Sequence, residues 1–275
     1  MVLLRKLSAE LQEVAEGELG ENFLRLEEDL EYIREWINKQ PHLKARTDDQ
    51  FLLAFLRGCK FSLQRTQEKL DYYYTAKTIV AELFSNRDPY DPDIQEVLRL
   101  GPVLPLPNTA GPEGPRIILL QSSVLNPDKV QYIVFLKVFL MILDILLQED
   151  DNFTVAGVAF WSEGKNSSIR FIMQLTPALL KKIHVIMQKA YPIRLKGVYS
   201  THCPPIAETL FNLSKSFSPE KLTKRMFLYS EIGEEFCKQI PKHLHPKDFG
   251  GANGSLEELK SKTNALFFLR FYYLL

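Results

Sequence analysis

Cysteine is scarce in this chain, which has three cysteines among 275 residues. They stand far apart, at Cys59, Cys203 and Cys237, and no CxxC pair occurs. This argues against a disulfide framework and against a zinc site. We therefore expect a reducing, cytoplasmic environment, with no metal ion and no cofactor.

The chain also lacks an excess of charge of either sign, since it holds 34 basic and 34 acidic residues. The charge is nevertheless uneven. Residues 1–35 carry four basic and ten acidic residues, a net −6, whereas residues 181–225 carry nine basic and two acidic residues, a net +7. This pattern predicts an anionic partner for one region. The basic region is compact and lacks interleaved aromatic residues, which argues against a nucleic acid.

No apolar run is long enough for an ordinary membrane span. The best candidate, YIVFLKVFLMILDILL (132–147), is shorter than the ~20 residues that a span needs, and it contains Lys137 and Asp144. We interpret it as a helix buried on both faces, with a membrane segment as the alternative. The first residues turn acidic before an apolar run could form a signal peptide, so we expect none.

Recognisable catalytic motifs are missing as well, because no P-loop, GxGxxG, HExxH or GxSxG pattern stands in a usable context. His202 next to Cys203 suggests a thiol nucleophile with its base. Adjacent side chains of an extended segment point to opposite faces, however, which suits a dyad poorly. His243 and His245 have no further ligand nearby, so a loop role outweighs a metal site. We expect no catalytic residue and no enzymatic activity.

The first hundred residues have a helical pattern. Apolar residues recur at helical spacing from Leu26 to Ile37. Thr47 and Gln50 would form a capping box for a helix over DDQFLLAFLRG. The Pro/Gly-rich stretch GPVLPLPNTAGPEGP then marks a boundary. We predict three parts: a helical domain over 1–100, a second domain over 101–259, and an atypical hydrophobic tail over 260–275.

The pattern changes after this boundary. RIILLQ (116–121), VAGVAF (155–160) and LKGVYS (195–200) are predicted strands. Thr176 and Pro177 begin a predicted helix between the last two. Strand, helix and strand at this spacing form a βαβ unit, so the sheet should be largely parallel. The predicted fold class is therefore α/β, preceded by an all-helical N-terminal domain.

The stretch HCPPIAETLFNLSKSF (202–217) predicts an amphipathic helix directly after the third strand. Pro204 and Pro205 cannot extend the strand, but they suit a first helical turn. Apolar residues at 206, 210, 213 and 217 would share one face. We interpret this helix as a lid over an apolar cavity, with an ordinary surface helix as the alternative. The cations on both sides favour docking on anionic lipid headgroups, with a solvated charged face as the alternative.

Several motifs together resemble the CRAL-TRIO lipid-transfer family. They are DDQFLLAFLRGCKFSLQRTQEKLDYYY, QLTPALLKKIHVIMQKAYPIRLKGVY, SKSFSPEKLTKRM and IPKHLHPKDFGG, and they occur in the family's order. The likeness runs from roughly Leu26 to Leu259, so it is specific. It is strongest for the alpha-tocopherol transfer branch, as represented by its insect paralogues.

This resemblance implies a lipid cavity between a sheet floor and a mobile gate helix. Its ligand would be one small hydrophobic molecule, either similar to a tocopherol or retinoid or a phospholipid. The implied lining residues are Phe139, Leu143, Val158, Phe160, Leu175, Ile183, Met187, Val198, Leu210 and Phe211. The implied phosphoinositide contacts are Arg194, Lys196, Lys221 and Arg225, which the charge pattern also singles out. We expect a cytoplasmic monomer that docks peripherally and reversibly on phosphoinositide-containing membranes.

The chain departs from the family pattern at four positions. His202 replaces an Asn, Trp161 replaces an acid, and Ser216 replaces a Pro of the gate. Cys59 replaces a basic residue, although Lys60 adjoins it. These departures predict a rearranged lipid site and weaker phosphoinositide binding. A signalling adaptor that uses the same fold to bind protein or phosphoinositide without cargo is the alternative, and it predicts a cavity filled by side chains.

Overall fold

The computed structural model describes residues 4–270. The strands are β1 (Val103–Pro105), β2 (Arg116–Gln121), β3 (Val158–Glu163), β4 (Leu195–Thr201) and β5 (Met226–Tyr229). The α-helices are α1 (Ala9–Val14), α2 (Leu26–Asn38), α3 (Asp49–Gly58), α4 (Leu63–Ile79), α5 (Ala81–Phe84), α6 (Pro92–Leu100), α7 (Tyr132–Glu149), α8 (Ile169–Ile172), α9 (Pro177–Val185), α10 (Pro205–Ser216), α11 (Glu220–Thr223), α12 (Glu234–Cys237) and α13 (Leu256–Arg270). Single π-helical turns extend α1 and α9 and precede β3, at Ala15–Leu19, Ile186–Ala190 and Asn152–Ala156.

The five strands lie in the sheet in sequence order, from β1 to β5. β1 is antiparallel to β2, whereas β2, β3, β4 and β5 run parallel. Parallel strands in this order need crossovers of one hand, so the connecting helices lie on the same face of the sheet. The predicted α/β class with a largely parallel sheet and a helical N-terminal region is confirmed.

Side chains alternate between the two faces of the sheet. Phe160 and Val198 are register partners on the face covered by the connecting helices. Trp161 and Tyr199, the next pair, point to the opposite face, where Phe236 packs against both rings. The segment after β5 therefore covers one face of the sheet, and the crossover helices cover the other.

The sequence prediction misses parts of the sheet. The strand predicted over 155–160 lies at Val158–Glu163, because the chain stays helical through Asn152–Ala156. β1 and β5 were not predicted, since strands of three and four residues are too short to show a clear period-two pattern.

The capping box predicted for α3 is wrong. Asp48 is the N-cap, and its carboxylate accepts a hydrogen bond from the Phe51 amide. Aspartate is a strong N-cap residue, so it takes the role assigned to Thr47. The Gln50 side chain instead accepts a hydrogen bond from the Arg5 amide.

The C-terminal part of the described chain is helical. Residues 260–270 of the predicted hydrophobic tail belong to α13, which begins at Leu256. Phe267 of this helix is fully buried in the main hydrophobic core. The rest of the predicted tail, residues 271–275, lies outside the described residues.

Asp144 explains the charge within the apolar helix α7. Its carboxylate accepts hydrogen bonds from the hydroxyls of Tyr73 and Tyr191, at 2.9 and 2.7 Å, and from the Arg87 guanidinium at 2.9 Å. Burial, aided by the neighbouring carboxylate, raises the pKa of both tyrosines, so they stay neutral donors. The network joins α4, α7 and the segment after α9.

Among residues 4–270, no helix has the length and apolarity to cross a bilayer.

Replacement of Asp144 by Ala should destabilise the fold by about 3–5 kcal/mol, because Arg87 would remain buried without its ionic partner. Urea denaturation measures this change. The matched control is Asp128→Ala, which breaks an exposed ion pair with Arg170 and should cost less than about 1 kcal/mol. Equal effects of the two substitutions would contradict the structural role of Asp144.

Candidate functional site

A cavity of about 650 Å³ lies between the sheet and the helices on its crossover face. Its walls come from α7, α8, α9 and α10, and its floor comes from the strands. Phe160 and Val198 form the middle of the floor, and the Phe139 ring of α7 lies 5.6 Å from the Phe160 ring. The walls are mostly apolar, which suits an apolar molecule with few polar groups.

Most of the predicted lining residues face this cavity. Leu143 and Val158 do not, because both are fully buried in the main hydrophobic core. The eight predicted residues that line the cavity are Phe139, Phe160, Leu175, Ile183, Met187, Val198, Leu210 and Phe211.

Polar groups lie in two parts of the cavity. Ser162 and Ser200, near the carboxyl ends of β3 and β4, contribute neutral hydroxyls, and Ser122 and Ser167 hydrogen-bond to each other at 2.7 Å nearby. The sequence interpretation missed these serines. Strand alternation could have found Ser162 and Ser200, since they share a face with Phe160 and Val198. The part near the amino ends of β4 and β5 is lined instead by His184, Gln188, Lys221 and Arg225.

Helix α10, called the gate helix below, covers the cavity. Its lining residues Ala207, Leu210, Phe211 and Ser214 are spaced at i, i+3, i+4 and i+7, which places them on one helical face. The predicted face included Leu210 but was otherwise rotated from the observed one. None of the 12 residues of the gate helix is buried, although this face points inward. The helix therefore lies over space rather than over packed side chains.

The start of the gate helix is attached to β3 through a polar network. Glu163 is buried, and its carboxylate lies 3.0 Å from Nδ1 of His202 and accepts a hydrogen bond from Thr201. Trp161 donates its indole N–H to the Thr201 hydroxyl at 3.0 Å. His202 has a positive φ of 50°, just before the prolines that begin the helix. Two residues that depart from the family pattern, Trp161 and His202, thus belong to one network.

The end of the gate helix is attached to α9. The Ser218 hydroxyl lies 3.1 Å from Nε2 of His184, and the His184 ring contacts the ring of Phe217. Burial lowers the pKa of His184, so the neutral imidazole that can accept this hydrogen bond is favoured. The gate helix is therefore fixed at both ends, while its middle covers the cavity.

The alternative catalytic and metal roles gain no support from the geometry. Burial raises the pKa of the Cys203 thiol, which disfavours the nucleophilic thiolate. His245 is buried and bonds the Ile240 carbonyl at 2.8 Å, whereas His243 is exposed. Among the residues that the structure describes, no group of three or more His, Cys, Asp or Glu side chains could hold a metal ion.

The four predicted basic residues divide between two environments. Lys221 and Arg225 line the cavity, and the Arg225 guanidinium also donates to the Leu195 carbonyl. Arg194 donates to the Glu18 carboxylate, and Nζ of Lys196 lies 3.8 Å from the same carboxylate.

These positive charges nevertheless act on one another. Burial lowers the pKa of Lys196, and the charges of Arg194, Arg225 and Lys60 lower it further. We call Lys60, Arg194, Lys196 and Arg225 the basic cluster. Lys60 is included because its charge acts on Lys196. The preceding position, which is basic in the family pattern, holds the buried Cys59 here.

Comparison with known proteins gives matches over most of the chain. Residues 104–251 match the family described as CRAL/TRIO domain, and residues 22–94 match the family described as Pinta-like, UBA domain. An alpha-tocopherol transfer protein-like protein of Mus musculus is 29% identical over 256 residues, covering 93% of this chain and 71% of that protein. Clavesin-1 of Pongo abelii is 30% identical over 246 residues, covering 89% and 69%. The crystal structure of Sfh5 is similar with a TM-score of 0.54 at 15% identity, covering 93% and 92%, which shows the fold alone.

Substitution of Val198 by Trp should fill the middle of the cavity and weaken the binding of an apolar fluorescent probe by about tenfold or more, equivalent to about 1.4 kcal/mol. Fluorescence titration measures this affinity. The control is Val185→Trp, since Val185 lies on α9 with 40% of its surface exposed and does not line the cavity. Equal probe binding by both variants would show that the probe does not enter this cavity.

Proposed function

Because the chain belongs to the CRAL/TRIO domain family, a family of lipid-binding and lipid-transfer proteins, we propose that it carries one small hydrophobic molecule between membranes. The observation that carries this proposal is the open, mainly apolar cavity of about 650 Å³ beneath the gate helix. Its size lies within the range of cavities that bury small ligands. The cargo would be a tocopherol-like or retinoid-like molecule or a phospholipid.

The open cavity supports a carrier over an adaptor. An adaptor without cargo predicts a cavity filled by its own side chains. Here the inward face of the gate helix has no buried residue. Empty apolar space forfeits contacts that a ligand would supply, so occupancy should stabilise the closed gate.

We also propose that the gate helix opens at a phosphoinositide-bearing membrane. Opening would expose Leu210 and Phe211, which the bilayer interface can accept. Lys221 is exposed on α11, which follows the gate helix, and Arg225 comes just after α11, so both would be near the lipid headgroups. Arginine in particular suits bidentate contact with phosphate. Docking would be peripheral and reversible, by a cytoplasmic monomer, and transfer would make and break no covalent bond.

Replacement of both Lys221 and Arg225 by Ala should weaken binding to phosphoinositide-containing vesicles. Each lost cation removes about 1 kcal/mol of attraction, so the two together should reduce affinity by about 10–30-fold. Vesicle cosedimentation measures the affinity for the membrane, and native mass spectrometry shows whether the cavity still binds a lipid.

A double variant with the same charge loss controls for net charge. Lys182→Ala with Lys224→Ala removes two exposed cations that are paired with Glu82 and Glu220. We expect this control to retain more of the vesicle binding. If the Lys221 and Arg225 variant binds vesicles as wild type does, these two residues do not contact the headgroup.

A further inference from the structure

Two residues of the basic cluster are paired with a carboxylate of the protein itself. The Glu18 carboxylate accepts a hydrogen bond from the Arg194 guanidinium and lies 3.8 Å from Nζ of Lys196. These are two of the four residues that the family resemblance implies as phosphoinositide contacts. Arg194 comes 176 residues after Glu18 along the chain, so the fold brings the three side chains together.

The backbone around Glu18 is held in place on both sides. Ala15 and Leu19, in the turn that carries Glu18, are buried against Val155 and Ala156. Gly20 follows with a φ of 77°, which ends the helical turn. The backbone position of Glu18 is therefore set by packing.

The residue after that glycine is fixed as well. The Glu21 carboxylate forms a buried ion pair with Arg57 at 2.9 Å. Leu19 and Glu21 thus anchor the chain on either side of Gly20, and Glu18 stays next to the basic cluster.

Electrostatics favour the charged form of Glu18. The hydrogen bond from Arg194 lowers the pKa of this carboxyl, and the charges of Lys196 and Lys60 add to the effect. The Arg194 side chain is only 12% exposed, whereas Glu18 is 53% exposed. The carboxylate thus partly shields Arg194 from solvent, while its own side chain can swing away into water.

We propose that Glu18 is an internal counter-ion that a membrane headgroup must displace from Arg194 and Lys196, so that only a headgroup that binds these cations more strongly than the carboxylate does can use them for docking. This inference rests on the proposed docking function. A singly charged headgroup such as phosphatidylserine carries no more charge than the carboxylate it would replace. A phosphoinositide bisphosphate brings several negative charges and more acceptor oxygens, so it can displace Glu18 at a net gain.

The test compares Glu18→Gln with wild type on two vesicle types of equal total charge. One contains phosphatidylserine and the other phosphatidylinositol bisphosphate, both in phosphatidylcholine. Removal of the competing charge should raise affinity for the bisphosphate vesicles by about fivefold, the effect of one charge at a membrane surface. Affinity for the phosphatidylserine vesicles should rise by no more than this, because a headgroup that leaves Glu18 in place in the wild type has no displacement cost to lose.

The matched control is Glu13→Gln. Glu13 is an exposed residue of the same N-terminal helix, and its replacement removes the same charge. One contrary result is equal vesicle affinity of Glu18→Gln and Glu13→Gln while the Lys221→Ala, Arg225→Ala double variant loses binding. That result would support the docking proposal and contradict the role of Glu18 as a counter-ion. If that double variant also binds as wild type does, both the docking proposal and this inference are overturned.

A second measurement tests displacement directly in the wild-type protein. A carbodiimide should join the Glu18 carboxylate to the Lys196 amine as an amide, detectable as a cross-linked peptide by mass spectrometry. Addition of soluble dioctanoyl phosphatidylinositol bisphosphate should suppress this cross-link, whereas dioctanoyl phosphatidylserine should suppress it less. An undiminished cross-link in protein saturated with the bisphosphate lipid would overturn the inference.

Discussion

The handedness of the parallel crossovers is the constraint on which the site depends. Four parallel strands in sequence order place their connecting helices on one face of the sheet. That face carries α7, α9 and the gate helix, while the segment after β5 covers the other. α7 is mostly buried, with eleven buried residues, whereas the gate helix has none. The cavity is the space that these two unequal helices leave above the sheet.

Buried polar networks hold the fixed parts of the molecule around the gate helix. Asp144 joins the helical N-terminal region to α7 and to the segment before β4. Glu163 joins the end of β3 to the start of the gate through His202. Because an unpartnered buried polar group is costly, these contacts favour one arrangement of the framework. The middle of the gate lacks such contacts, so motion should be concentrated there.

Repeating sequence patterns predicted the longer helices and strands, whereas features that depend on single residues were harder to predict. Periodicity located β2, β4 and α7, and the Pro-rich start located the gate helix. It could not locate two short strands, because three or four residues do not establish a period. Charge singled out Arg194 and Lys196, but the contact of Arg194 with Glu18 depends on a fold that brings together residues 176 positions apart. The serines near the carboxyl ends of β3 and β4 were readable from alternation and were overlooked.

The most direct test of the account is native mass spectrometry of the protein purified from its own tissue, followed by organic extraction and identification of any bound molecule. The account predicts one hydrophobic molecule per chain, released by extraction and absent from the Val198→Trp variant. A protein that arrives empty and stays empty when offered lipid mixtures would contradict the carrier function. The basic cluster would then belong to the docking surface of an adaptor.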